Sequence, residues 1–181
     1  MSPNIYVIVP EGLSKGDMDF PSPNFVYRKV IEYVANTVKK NDEVYFAPAN
    51  SFGSSIEEQI AGLEYFKLLY GNINGIKLYS QKISYNKYVD TLGNAILLMN
   101  QFPRLISEEI ELVSAVTHSK RVEYCFKNVG YKIKKVHRVK YKILDEKIVK
   151  RLWYYKYPRI HKIYEFLALQ RDKLRIRLSM I

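Results

Sequence analysis

The sequence predicts an α/β fold: a mainly parallel sheet of about five strands covered by helices on both faces, followed by a basic helical extension. Three observations predict it. Short apolar runs rich in Ile, Val, Leu and Tyr recur along the chain. Longer amphipathic stretches separate them, so strand and helix alternate throughout. No apolar run reaches the roughly 20 residues that a membrane-crossing helix needs.

Taken in order, IYVIV (Ile5–Val9) reads as a buried strand ended by Pro10 and Gly12. FVYRKVIEYVANTV (Phe25–Val38) carries apolar residues near helical spacing. EVYFA (Glu43–Ala47) is a second strand, followed by the loop PANSFG, and Ser54–Leu69 a second helix marked by Ile56, Ile60, Leu63 and Phe66. IKLYS (Ile76–Ser80) is a third strand, and TLGNAILLMNQF (Thr91–Phe102) a helix that stops before Pro103. IELVSA (Ile110–Ala115) is a fourth strand, and His118–Asn128 a helix closed by Gly130. YKIKKVHRVKY (Tyr131–Tyr141) alternates with one charged face and is expected at a sheet edge. The chain divides into a domain at 1–143 and an extension at 144–181, mainly helical and broken near Pro158, whose default is to dock on the domain.

With 181 residues, 48% hydrophobic and 26% charged, the chain supports one soluble domain with a sizeable core. A single cysteine, Cys125, excludes an internal disulfide, and the opening residues lack the pattern of a secretory leader. A reducing, cytoplasmic setting is the expectation. The net charge of +11 is uneven: Lys142–Ile181 holds eleven Lys/Arg against four Asp/Glu, hence +7. That tail is suited to nucleic acid, an anionic membrane surface or an acidic partner.

Ligands of open α/β sheets sit beyond the C-terminal strand ends, where the strand order reverses. Polar residues concentrate in those loops: Pro10-Glu11-Gly12, then PANSFGSS leading to Glu57 and Glu58, then Asp90, Thr91 and Asn94, then Ser114 and Thr117-His118-Ser119-Lys120-Arg121. Structural readings stand beside the functional ones. Ser54 with Glu57, and Ser55 with Glu58, fit capping boxes, and Asp90 fits an N-cap. Asn94 is harder to explain by stability, because Asn is a poor mid-helix residue. His118 and Arg121 lie three apart at a helix start, where a cation opposes the helix dipole and an anion is favoured. That pair is therefore the candidate anion site. His137 and His161 lack ligand-like sequence neighbours, no His/Cys cluster suggests zinc, and neither GxGxxG nor GxxxxGK[ST] occurs. Cys125, on the apolar side of its helix with Val122 and Phe126, reads as a packed thiol.

Three short motifs in this order resemble those of the SanA/ElyC/YdcF-like family. VSAVTHSKRV keeps a His-x-x-Arg after a strand, with Ala115 replacing a hydroxyl residue; DTLGNA keeps Thr91 and Asn94, with Asp90 and Gly93 replacing Asn and Glu; SFGSSIEEQIAG offers Glu57 or Glu58 for a third motif. An arginine of the first helix is similar to Arg28. The resemblance spans roughly Ile5–Lys140. It implies a Rossmann-like three-layer sandwich with a small-molecule pocket at the sheet rim, and S-adenosylmethionine or a nucleotide as the cofactor class, whose identity stays open. The glycine-rich first turn is reduced here to PEG, and the basic tail has no counterpart.

The first functional expectation is an enzyme of transfer or hydrolysis acting on a nucleotide-like or phosphorylated small molecule. His118, Glu58 and Asp90 would be its acid–base groups. Gly12, Arg28, Ser54, Glu57, Thr91, Asn94, Ser114 and Arg121 would bind its ligand. The alternatives are a non-catalytic S-adenosylmethionine or nucleotide module, and nucleic-acid binding through VKRLWYYKYPRIHKIY, where Trp153 and tyrosines could stack on bases. Compatible with the first is a tail that builds a homodimer or meets an anionic membrane.

Overall fold

In the first strand, β1 (Ile5–Ile8), every residue is buried, the signature of a strand covered on both faces. The computed structural model describes residues 3–14, 22–51, 55–71, 75–83, 88–142 and 157–179. After β1 come a short hairpin, β2 (Leu13–Ser14) and β3 (Ser22–Pro23), and then α1 (Phe25–Ala35). Next are β4 (Glu43–Phe46), α2 (Glu58–Tyr70), β5 (Lys77–Tyr79), α3 (Thr91–Gln101) and a 3₁₀ turn (Pro103–Ile106). The chain continues with β6 (Glu109–Ala115), α4 (Ser119–Val129), β7 (Lys132–Val139) and α5 (Pro158–Ser179).

The sheet order is β5-β4-β1-β6-β7, and every neighbouring pair in it is parallel. This is the Rossmann-like three-layer sandwich. One face of β1, with Tyr6 and Ile8, packs among Val30, Ile31, Val34 and Phe66 of α1 and α2. The other face, with Ile5 and Val7, packs among Ala95, Leu98, Val122 and Phe126 of α3 and α4. The strand order reverses between β1 and β6, so a crevice opens at their C-terminal ends.

β7 is an edge strand, and its register slips between Ile110 and Glu111 of β6. The slip and its exposed lysines suit an edge that resists further strand pairing. Gly130, at a φ of 111°, closes α4 where a left-handed residue is needed. α2 begins at Glu58, later than the sequence suggests, and its N-cap Glu57 makes no side-chain cap bond. Pro158 opens α5. Of the extension, 144–156, with Trp153 and the first half of the aromatic basic stretch, lies outside the described residues. Among the described residues, no helix is long and apolar enough to cross a membrane.

Candidate functional site

The crevice is built from four loops. β1 runs into Pro10-Glu11-Gly12, and β4 into Ala49-Asn50. The loop after β5 arrives through Tyr88, Val89 and Asp90 to Thr91, and β6 turns through His118 to Arg121; all of these line one cleft with Glu58 and Asn94. α5 covers it with Tyr164 and Glu165.

Asn24 sets the first loop. Its Oδ1 accepts from the Tyr27 amide at 2.9 Å to cap α1, while its Nδ2 donates to the Glu11 carbonyl at 2.6 Å. Gly12 has a φ of 107°, a region side chains rarely adopt, and its backbone amide faces the Glu58 carboxyl. The Asn50 amide faces the same carboxyl. Burial dominates at Glu58: it pushes the pKa up to about 8, with Glu11 adding to it and the two amides opposing. Glu58 therefore holds its proton near neutral pH.

A continuous polar line crosses the cleft. The Glu11 Oε1 accepts from the Ala115 amide at 2.8 Å and lies 3.1 Å from Nδ1 of His118. A carboxylate only accepts, so Nδ1 carries the hydrogen. The opposite ring nitrogen, Nε2, is 2.8 Å from the Thr91 hydroxyl. Arg121 donates to that same hydroxyl. Burial disfavours charge on His118, but Glu11 and Glu165 outweigh it, so its pKa lies above the ordinary histidine value. The order carboxylate, imidazole, hydroxyl is one in which an imidazole can take a hydroxyl proton.

The guanidinium of Arg121 is also held by α5. Its NH1 lies 3.2 Å from both Glu165 oxygens, and its Nε lies 3.2 Å from Asp172. Burial would raise the Glu165 carboxyl, but His118, His161 and Arg121 bring it down to about 2. His161 approaches Glu165 at 3.5 Å and is fully buried. The predicted anion position thus holds carboxylates of the chain itself. The Cys125 thiol packs behind, donating to Asp172 at 3.6 Å, and burial pushes its pKa up.

Gly12, Glu58, Asp90, Thr91, Asn94, His118 and Arg121 converge as the sequence suggests. Asn94 donates to the Pro48 carbonyl. Asp90 caps α3 through the Gly93 amide at 2.9 Å, and its other oxygen binds Arg171 and Arg175. Its capping role therefore accounts for it, and both oxygens are occupied. Three residues fall elsewhere. Arg28 clamps the hairpin, donating to the Pro23 carbonyl and the Ser22 hydroxyl at 2.8 Å each. Glu57 holds the loop after β5 through the Ile83 amide at 3.1 Å. Ser114 is buried within β6, outside the cleft lining, and its hydroxyl finds no partner among the described residues. Ser54 lies outside the described residues. The sequence reading names Glu11 on the rim without a role, sets His161 aside, and does not reach Glu165 or Asp172. The last three share a stripe of α5 with Ala168 and Ile176, whose helical spacing was the available signal. His137, too, has partners the sequence hides: Glu111 at 2.6 Å and Tyr33 at 2.7 Å.

Comparison with protein-family models, with curated proteins and with solved structures yields no significant match.

Proposed function

We propose that this chain is an enzyme of transfer or hydrolysis that binds a phosphorylated or nucleotide-like small molecule in the crevice beyond β1 and β6. The observation that carries the reading is the buried line Glu11–His118–Thr91–Arg121 at the point where strand order reverses. Stability alone gives little reason to bury four such groups in a row. The motif residues by which the chain resembles the SanA/ElyC/YdcF-like family, Thr91, Asn94, His118 and Arg121, line the same cleft, with Glu58 rather than Glu57 beside them. That convergence supports membership as a divergent relative.

In this reading His118, oriented by Glu11, takes the proton of an attacking hydroxyl, either Thr91 or a water in its place. Glu58, still protonated near neutral pH, supplies a proton to the leaving group. An anionic group of the ligand replaces Glu165 at Arg121, while Asp172 keeps its hold on the Nε side of the guanidinium, so substrate binding is an exchange of one carboxylate for another anion.

A thermal-shift screen with inorganic phosphate, AMP, ADP, UDP-glucose and S-adenosylmethionine tests it. A compound at ~100 times its dissociation constant adds about 2.7 kcal/mol to the folded state. The expected result is a shift with at least one compound that disappears in Thr91→Val, with circular dichroism showing the variant folded. A folded wild-type protein shifted by none of them, or shifted equally in Thr91→Val, overturns the reading.

A further inference from the structure

The helix α5 is turned inside out relative to an ordinary surface helix. Its polar residues His161, Glu165 and Asp172 are buried against the domain, where Glu165 and Asp172 hold Arg121. Ile176 apart, its large aliphatic residues turn outward: Ile163 is 61% exposed, Leu167 61%, Leu174 58% and Leu178 63%. At 100° per residue, Ile160, Ile163, Leu167, Leu174 and Leu178 form one stripe, which Arg171 interrupts once. Within this 22-residue helix the stripe from Ile160 to Leu178 runs over about 27 Å.

The charges are sorted as sharply. Both acidic residues of α5 point inward, so its outer surface has no anion. Arg159, Lys162 and Arg177 are exposed along one flank of the stripe, and Arg171 and Arg175 lie on the other, beside Asp90. The pattern continues into the groove between α4 and α5, where Lys120 and Lys162 stand beside Phe166 and Leu169.

We propose that the outer face of α5 is a docking surface for an anionic lipid bilayer, with the helix lying parallel to the membrane plane. Aliphatic side chains flanked by lysine and arginine match the depth profile of such a surface, acyl chains below and phosphate headgroups beside them. Charge complementarity selects this occupant. A second copy would set cationic flanks against cationic flanks, with Arg171 in the stripe and no acid on the outer face to balance them. A nucleic acid would satisfy the cations but leave the Ile and Leu stripe in water.

Vesicle sedimentation with the full chain tests the proposal, comparing phosphatidylglycerol/phosphatidylcholine vesicles with phosphatidylcholine alone. The expected result is at least about tenfold stronger binding to the anionic vesicles, weakening as salt rises. The exposed-face variant Leu167→Glu/Leu174→Glu should lose it, while its melting temperature stays close to wild type because neither residue is part of the core. Arg159→Glu/Lys162→Glu/Arg177→Glu should lose the preference for anionic lipid. Absence of vesicle binding overturns the proposal. So does a dimer in light scattering that Leu167→Glu/Leu174→Glu splits, or RNA binding that survives that substitution while vesicles are ignored.

Discussion

Replacing Glu58 by glutamine should change how stability depends on pH. The carboxyl is 4% exposed, and burial raises its pKa from 4.5 to about 8. Unfolding returns it to the ordinary range. Between those values the folded chain keeps a proton that the unfolded chain releases, so stability falls as pH rises. The decline is about 1.4 kcal/mol per pH unit, reaching about 3 kcal/mol by pH 7 and about 5 kcal/mol at its limit above pH 8. The glutamine side chain keeps an acceptor for the Gly12 and Asn50 amides but cannot ionise. Urea unfolding of both proteins at pH 5, 6, 7 and 8 reads the difference directly. Glu58→Gln should gain on wild type steadily across that range, while His118 and Glu165, present in both, largely cancel. A difference that stays constant within about 0.5 kcal/mol refutes the claim that Glu58 carries a proton near neutral pH.

Other outcomes follow from the same geometry. Thr91→Val leaves both His118 and Arg121 short of a partner and should lower stability by about 1–3 kcal/mol while abolishing ligand-induced shifts, read by calorimetry and the compound screen. Gly12→Ala forces a side chain into a φ of 107° and should lower the urea midpoint by the equivalent of ~1–2 kcal/mol. Glu165→Gln removes a carboxyl held at about 2 by its cationic neighbours. Its stabilisation is present above the ordinary carboxyl pKa and is lost as pH falls toward 2. The variant should therefore be less stable by about 3 kcal/mol at pH 7, with the gap closing below pH 4.5 in acid-unfolding curves.

The alternation of apolar runs and amphipathic stretches made the layers legible, because buried parallel strands leave no choice but continuous Ile, Val and Tyr. The rim loops followed from topology, and His118, Arg121, Thr91 and Asn94 followed from sitting at helix starts on those loops. Glu11 carried no pattern: one acid in a three-residue turn becomes significant only when Asn24 and the Ala115 amide fix it against His118. SSIEE misleads because it has the form of a capping box, while the Glu58 carboxyl accepts across the crevice from Gly12 and Asn50. Ser114 is fully buried within β6 and does not line the cleft, although strand alternation turns it, with Leu112, to the α3 and α4 layer. α5 was hardest to read, because its buried stripe is the polar one, the reverse of the usual rule that apolar residues face the core.

The most direct test of the crevice as an anion-exchange site is a calorimetric titration of ADP and inorganic pyrophosphate into wild-type and Glu165→Gln protein. With the competing carboxylate gone, at least one of these anions should bind about tenfold more tightly than to wild type, a gain of ~1.4 kcal/mol, and adding Thr91→Val should erase it. A folded Glu165→Gln protein that binds neither anion better than wild type would contradict the account, leaving Arg121 as a structural tie between the domain and α5.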